Sequence, residues 1–151
     1  MSLTKHSDLP EELERLAKQV VDCVYTVHKE LGPGFLEKIY EEALVSEFRR
    51  RGLPFASQRP MPVFYRGERL PTEYKLDMIV ADSIILELKT ADAILPIHEA
   101  QLLSYMKQAD AAIGFVINFK QTLIKNGIRR IVMSERVNEP RRSEDAKYIC
   151  S

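Results

Sequence analysis

Residues 75–89, KLDMIVADSIILELK, hold two short apolar runs on either side of Ala81-Asp82-Ser83. Runs of this length and β-branched content read as the strands of a hairpin that belongs in a core. Charged residues Lys75, Asp77, Glu87 and Lys89 sit toward its open end. A charge buried in a core is costly unless it is paired or bound to a metal. A chain carrying this stretch must therefore either expose one end of a central hairpin or neutralise the acids there.

The register of the hairpin decides whether the acids meet. A loop of residues 81–83 pairs Val80 with Ile84 and sets Asp77 opposite Glu87, with Cβ atoms about 5 Å apart. Lys89 lies two residues beyond Glu87 and shares its face. Leu76, Met78 and Val80 then join Ile84, Leu86 and Leu88 in an apolar face, while Ile79 and Ile85 keep the charged face dry near the turn. A two-residue loop would send the two acids to opposite sides. The three-residue loop segregates polarity cleanly and is the expected register. It also sets Lys75 opposite Lys89, so Lys75 is expected to turn to solvent or toward a phosphate.

Two facing carboxylates repel until a shared proton, Lys89 or a divalent cation neutralises them. An acid pair with an adjacent lysine at a strand end suits hydrolytic metal chemistry. Mg²⁺ takes oxygen ligands, keeps several waters and is often shared with a substrate phosphate. The alternative is a buried Asp/Glu/Lys ion-pair cluster with no chemistry.

The rest of the chain frames this hairpin. Apolar spacing predicts a helix over residues 9–31, with Asp8 and Glu11 as a capping box, ended by the Gly-Pro-Gly at residues 32–34. A second helix is expected over 35–51, an extended stretch over 55–65, a turn at 66–68 and strands over 69–80 and 84–89. A helix over 97–109 and strands over 112–119 and 128–133 complete a mixed α/β order, α-α-β-β-β-α-β-β. Residues 1–133 read as one domain and 134–151 as a polar tail. Two helices add polar groups: Glu37 and Tyr40 at i, i+3, and His98, Gln101 and Tyr105 at i, i+3, i+7. His98 reads as a helix-start residue. Taken alone, Gln101 and Tyr105 read as an ordinary surface pair.

The formal charge is zero, with 22 basic and 22 acidic residues. Nothing global steers the chain to nucleic acid, so a polyanion site needs its arginine runs (49–51, 129–130, 141–142) gathered on one side. Cys23 and Cys150 match no metal or redox pattern, and Cys23 is expected to be buried. No apolar run approaches membrane-spanning length, which predicts a cytoplasmic protein with no membrane partner.

Together the motifs resemble one family. Gly34-x-x-Glu37-x-x-Tyr40 is similar to the signature of the GxxExxY proteins. Leu76-Asp77, Glu87-Leu88-Lys89, Gln101-Leu102-Leu103-Ser104-Tyr105, Ile117-Asn118-Phe119 and residues 127–132 match the remainder. The resemblance spans about residues 15–133 and implies the PD-(D/E)XK nuclease superfamily, with its restriction-endonuclease-like sheet flanked by helices. Leu76 stands where the superfamily's name has proline. The resemblance implies a Mg²⁺-dependent (or Mn²⁺-dependent) nuclease acting on DNA or RNA. Asp77 and Glu87 would be its metal-binding acids and Lys89 its catalytic lysine. Glu37 would be the first-helix acid completing the metal or water site, and Gln101 and Tyr105 auxiliary residues. A catalytically silent binding or scaffold protein and a metal-dependent hydrolase of small nucleotides are the rival readings.

Overall fold

The computed structural model describes residues 9–133. Helix α1 (Glu11–Leu31) and helix α2 (Glu37–Arg50) come first. Strand β1 (Phe55–Met61), a hairpin of β2 (Phe64–Tyr65) and β3 (Glu68–Arg69), then β4 (Tyr74–Val80) and β5 (Ile84–Lys89) follow. Helix α3 (Pro96–Ala109), strand β6 (Ile113–Asn118), a 3₁₀ turn and strand β7 (Ile128–Val132) end the described fold. The five long strands form one sheet in the order β1-β4-β5-β6-β7. Only β5 and β6 run parallel, with α3 as their crossover.

Helices cover both faces. Val20, Val24, Leu44 and Phe48 pack on Met78, Leu86, Phe115 and Ile117. On the opposite face, Leu102 and Met106 of α3 pack on Leu76, Ile79, Ile85 and Val116. Gly114 sets how closely α3 approaches: a Cβ there would lie 2.6 Å from Met106 Sδ and 2.9 Å from Leu102 Cδ1. Gly114→Ala is therefore expected to cost about 1–3 kcal/mol by overpacking. A lower urea midpoint with an unchanged m-value would register it.

The elements follow the sequence expectation with local differences. Gly32, at φ 70°, ends α1. Pro10 stands at the N-cap of α1, and Asp8 lies outside the described residues, as does the tail at 134–151. The expected extended stretch over 55–65 divides in two. β1 ends at Met61, and a separate hairpin turns at Arg66 and Gly67, both at positive φ as a type I′ turn requires. Cys23 is fully buried, and burial pushes its thiol up to about 11, which leaves it inert at neutral pH. Among the described residues, no helix is long and apolar enough to cross a membrane.

Candidate active site

The hairpin takes the three-residue register. Val80 pairs with Ile84, Ile79 with Ile85 and Met78 with Leu86. Regular pairing stops there, at the level of the acids. On the other side of β4, the β1 ladder skips the Gln58–Asp77 pair, where Gln58 has φ 52°. This break reverses both strands. Phe55 and Met61 are both odd-numbered, yet they join opposite cores, and so do the even-numbered Leu76 and Met78. Leu76 thus packs on the α3 side, which corrects the expected face of Leu76, Met78 and Val80. The same reversal places Lys75, which alternates with Leu76, away from the face of Lys89. The expected lysine–lysine opposition does not occur, and Lys75 is exposed.

The splayed backbone is satisfied by the acids themselves. Leu88 N–H donates to Asp77 Oδ2 at 2.9 Å, a bond that the ladder would otherwise give to a backbone carbonyl. Glu87 is 5% exposed, and its Oε2 has no hydrogen-bond partner. Burial first, then the Asp77 charge, push the Glu87 carboxyl up to about 8; the Asp77 backbone N–H and Lys89 oppose the rise. At neutral pH the raised Glu87 carboxyl favours its protonated form. The two acids are electrostatically coupled although regular strand pairing ends one residue before them.

Glu37, in the first turn of α2, approaches from the other helix layer. Desolvation, then Asp77, raise its pKa, and Lys89 pulls it down. Glu37 as a residue is solvent-exposed, so this shift is a weak lever. Tyr105 completes the α3 side: burial, then Glu87 and Asp77, raise its pKa, while its hydrogen bond with Gln101 lowers it. Asp77, Glu87, Lys89, Glu37 and Tyr105 thus share one electrostatic neighbourhood, and Gln101 reaches it through Tyr105.

The residues of the Gly34-x-x-Glu37-x-x-Tyr40 motif divide into distinct tasks. Gly34 adopts φ +127°, a conformation that side chains disfavour. Tyr40 is fully buried, donates its hydroxyl proton to Gly32 O and accepts Phe35 N–H at 3.2 Å. Its hydroxyl clasps the loop that leads into Glu37 and is itself turned away from solvent. Tyr40→Phe strands both backbone groups and is expected to cost about 1–2 kcal/mol, read as a lower melting temperature.

Three residues lie outside the sequence-based set. Glu41, one turn after Glu37, is buried and accepts a hydrogen bond from Gln58 Nε2 at 3.2 Å. Its i+4 spacing from Glu37 was the available signal. Gln58 carried none, because glutamine at positive φ has no sequence signature. Tyr74 stacks on Tyr105 at 4.5 Å and is electrostatically coupled to Glu87. His98 stays at the start of α3, where its Nδ1 accepts Leu95 N–H at 3.0 Å.

The donor set fits a hard cation held by few protein ligands. Among the described residues, no three His, Cys, Asp or Glu are grouped so as to hold a metal ion, so Glu37 does not join Asp77 and Glu87 in a three-carboxylate set. Mg²⁺ commonly takes one or two carboxylates and completes its shell with water and phosphate. The orphaned Glu87 Oε2 beside Asp77 offers that chemistry.

The described arginine runs do not gather here. Arg49–Arg51 stand at the far end of α2 from Glu37, about 20 Å along a 14-residue helix. Arg51 pairs with Asp22 at 2.7 Å and Glu47 at 3.0 Å, and Arg130 with Glu14 at 2.8 Å. Arg141 and Arg142 lie outside the described residues. A groove of about 760 Å³ runs between α1 and β6–β7, and none of the acids around Asp77 lines it.

A family model described as the PD-(D/E)XK nuclease superfamily matches residues 14–131. No curated protein and no solved structure matches the chain. The match covers the five-stranded sheet and all three helices, from the first turn of α1 into β7. The chain belongs to the PD-(D/E)XK nuclease superfamily.

Proposed function

We propose that the protein is a Mg²⁺- or Mn²⁺-dependent phosphodiesterase of nucleic acid, of the GxxExxY type, working at Asp77, Glu87 and Lys89. The observation that carries this reading is the buried Glu87, with its orphaned oxygen, electrostatically coupled to the half-buried Asp77. A divalent cation bound there would neutralise the scissile phosphate and lower the pKa of an attacking water. Asp77 and Glu87 supply the anionic oxygens, and Leu88 N–H fixes the Asp77 rotamer. Burial of Glu87 keeps that carboxylate from being satisfied by bulk water. Lys89 holds positive charge where the phosphate gains negative charge. Glu37 orients water from the α2 side, and Tyr105 with Gln101 borders the cleft. Lys38 and Lys75 have no carboxylate partner among the described residues and are free to meet phosphates.

The test is cleavage of single- and double-stranded DNA and RNA with Mg²⁺ or Mn²⁺. Wild type should cut at least one of these only when the metal is present. Lys89→Ala should lower kcat about a hundredfold or more with a smaller change in KM. Cleavage that survives both Asp77→Ala and Lys89→Ala would assign the activity to another protein in the preparation.

The dispersal of the arginines favours a second reading, a nuclease fold retained for binding or scaffolding. Absence of cleavage from every substrate, together with no metal uptake, would select it.

A further inference from the structure

Asn118 and Phe119 lie outside the acid cluster, yet they hold the strand end that carries Lys89. The β5–β6 ladder closes at the pair Lys89–Asn118. Beyond it, Phe119 N–H donates to Lys89 O at 3.0 Å. The Asn118 side chain, 0% exposed, then acts as one further rung. Its Oδ1 accepts Ala91 N–H at 3.0 Å and Lys120 N–H at 3.2 Å, and its Nδ2 donates to Ala91 O at 2.8 Å. A carboxamide is suited to this position because it offers a donor and an acceptor side by side. Gly127 lets the chain pass over the back of the clamp: a Cβ there would lie 2.3 Å from Asn118 O.

The clamp also reaches helix α2. Phe119, fully buried, stacks on Tyr40 with centroids 4.4 Å apart and planes 3° from parallel. Tyr40 holds the loop ahead of Glu37. One pair of adjacent residues thus fixes the backbone beneath Lys89 and braces the helix start that carries Glu37.

We propose that Asn118 is a positioning residue for Lys89, with Phe119 linking that position to Glu37 through Tyr40. A lysine at a strand end has a flexible four-carbon stem and a backbone prone to fraying. A fixed backbone on both sides of Lys89 narrows the space its ammonium can sweep near Glu87 and Glu37, whose carboxyls feel its charge. The catalytic part of this inference rests on the nuclease reading, whereas the placement of Lys89 does not.

The experiment uses Asn118→Ala, which removes the whole clamp, and Asn118→Asp, which keeps the acceptor and loses the donor. Lysines are reductively methylated with ¹³C and observed by NMR, with Lys89 assigned by its absence in Lys89→Arg. The Lys89 resonance should shift or broaden in both variants, more in Asn118→Ala, while that of Lys18 on α1 stays in place. Metal-dependent kcat should fall roughly ten- to a hundredfold with KM nearly unchanged. Mn²⁺ affinity should stay within about threefold, because Asp77 and Glu87 are not in the clamp. An unchanged Lys89 resonance in folded variants overturns the proposal. So does failure of both variants to fold, which would make Asn118 a residue of general stability. A wild type that cuts nothing removes the nuclease reading, while the resonance still decides whether Asn118 places Lys89.

Discussion

Glu87→Gln is expected to abolish metal-dependent cleavage, by roughly a thousandfold or more, while leaving the protein folded. The substitution keeps the shape of the side chain and removes only its capacity for negative charge. The neighbourhood of Glu87 makes the outcome specific. It is 5% exposed, so the charge has little solvent to fall back on, and Asp77, Tyr74 and Tyr105 are its electrostatic neighbours. The charged form is tolerated only beside a compensating cation. A glutamine there needs no such compensation. The variant should therefore match or exceed the wild type in stability without metal at alkaline pH, even though its activity is lost. Loss of activity through unfolding would show instead as a lower melting temperature at every pH.

The second large effect is the pH dependence of stability without metal. The Glu87 carboxyl has a reference value of 4.5 and is pushed up to about 8 in the folded protein. Between those values the native state binds the proton that the unfolded chain has released. Its contribution is fully present below about pH 4.5, declines as pH rises and is gone above about pH 8. The loss is on the order of a few kcal/mol. The checking measurement is the difference between wild-type and Glu87→Gln unfolding free energies from pH 5 to 9. That difference should move against the wild type as pH rises, then level off. Added Mg²⁺ or Mn²⁺ should act in the opposite sense, because cation binding displaces the proton and strengthens as pH rises toward 8. A difference flat in pH would mean that Glu87 is solvated and not buried against Asp77.

The hairpin was legible because three local signals agreed. A three-residue turn, an apolar face and acids at matching distances from the turn all fixed one register, and Val80 does pair with Ile84. Tertiary geometry hid what lay beyond it. The reversal at Gln58 and Asp77 arises from a glutamine at φ 52°, where glycine or asparagine would have announced it. Alternation alone therefore misplaced Leu76 and the facing of Lys75. Tyr40 reads as a helix-face partner of Glu37, but its hydroxyl turns back to Gly32 because the loop ahead of α2 needs a clasp. The two short strands at 64–65 and 68–69 were merged into the longer expected stretches 55–65 and 69–80, being too short to carry a period of their own, and β4 itself begins only at Tyr74. Gly114 gave no sign of its task, since the α3 residues it admits, Leu102 and Met106, are set against it only by the tertiary fold.

Nuclease chemistry at this site requires the Asp77–Glu87 pair to hold a divalent cation. The most direct measurement is Mn²⁺ binding, followed by electron paramagnetic resonance on wild type and Glu87→Gln at pH 8.5. Wild type should take up Mn²⁺ in competition with Mg²⁺, and Glu87→Gln should bind it at least about tenfold more weakly. Equal uptake by the two proteins, or none by either, would contradict the account and leave the buried acids as an ion-pair cluster without chemistry.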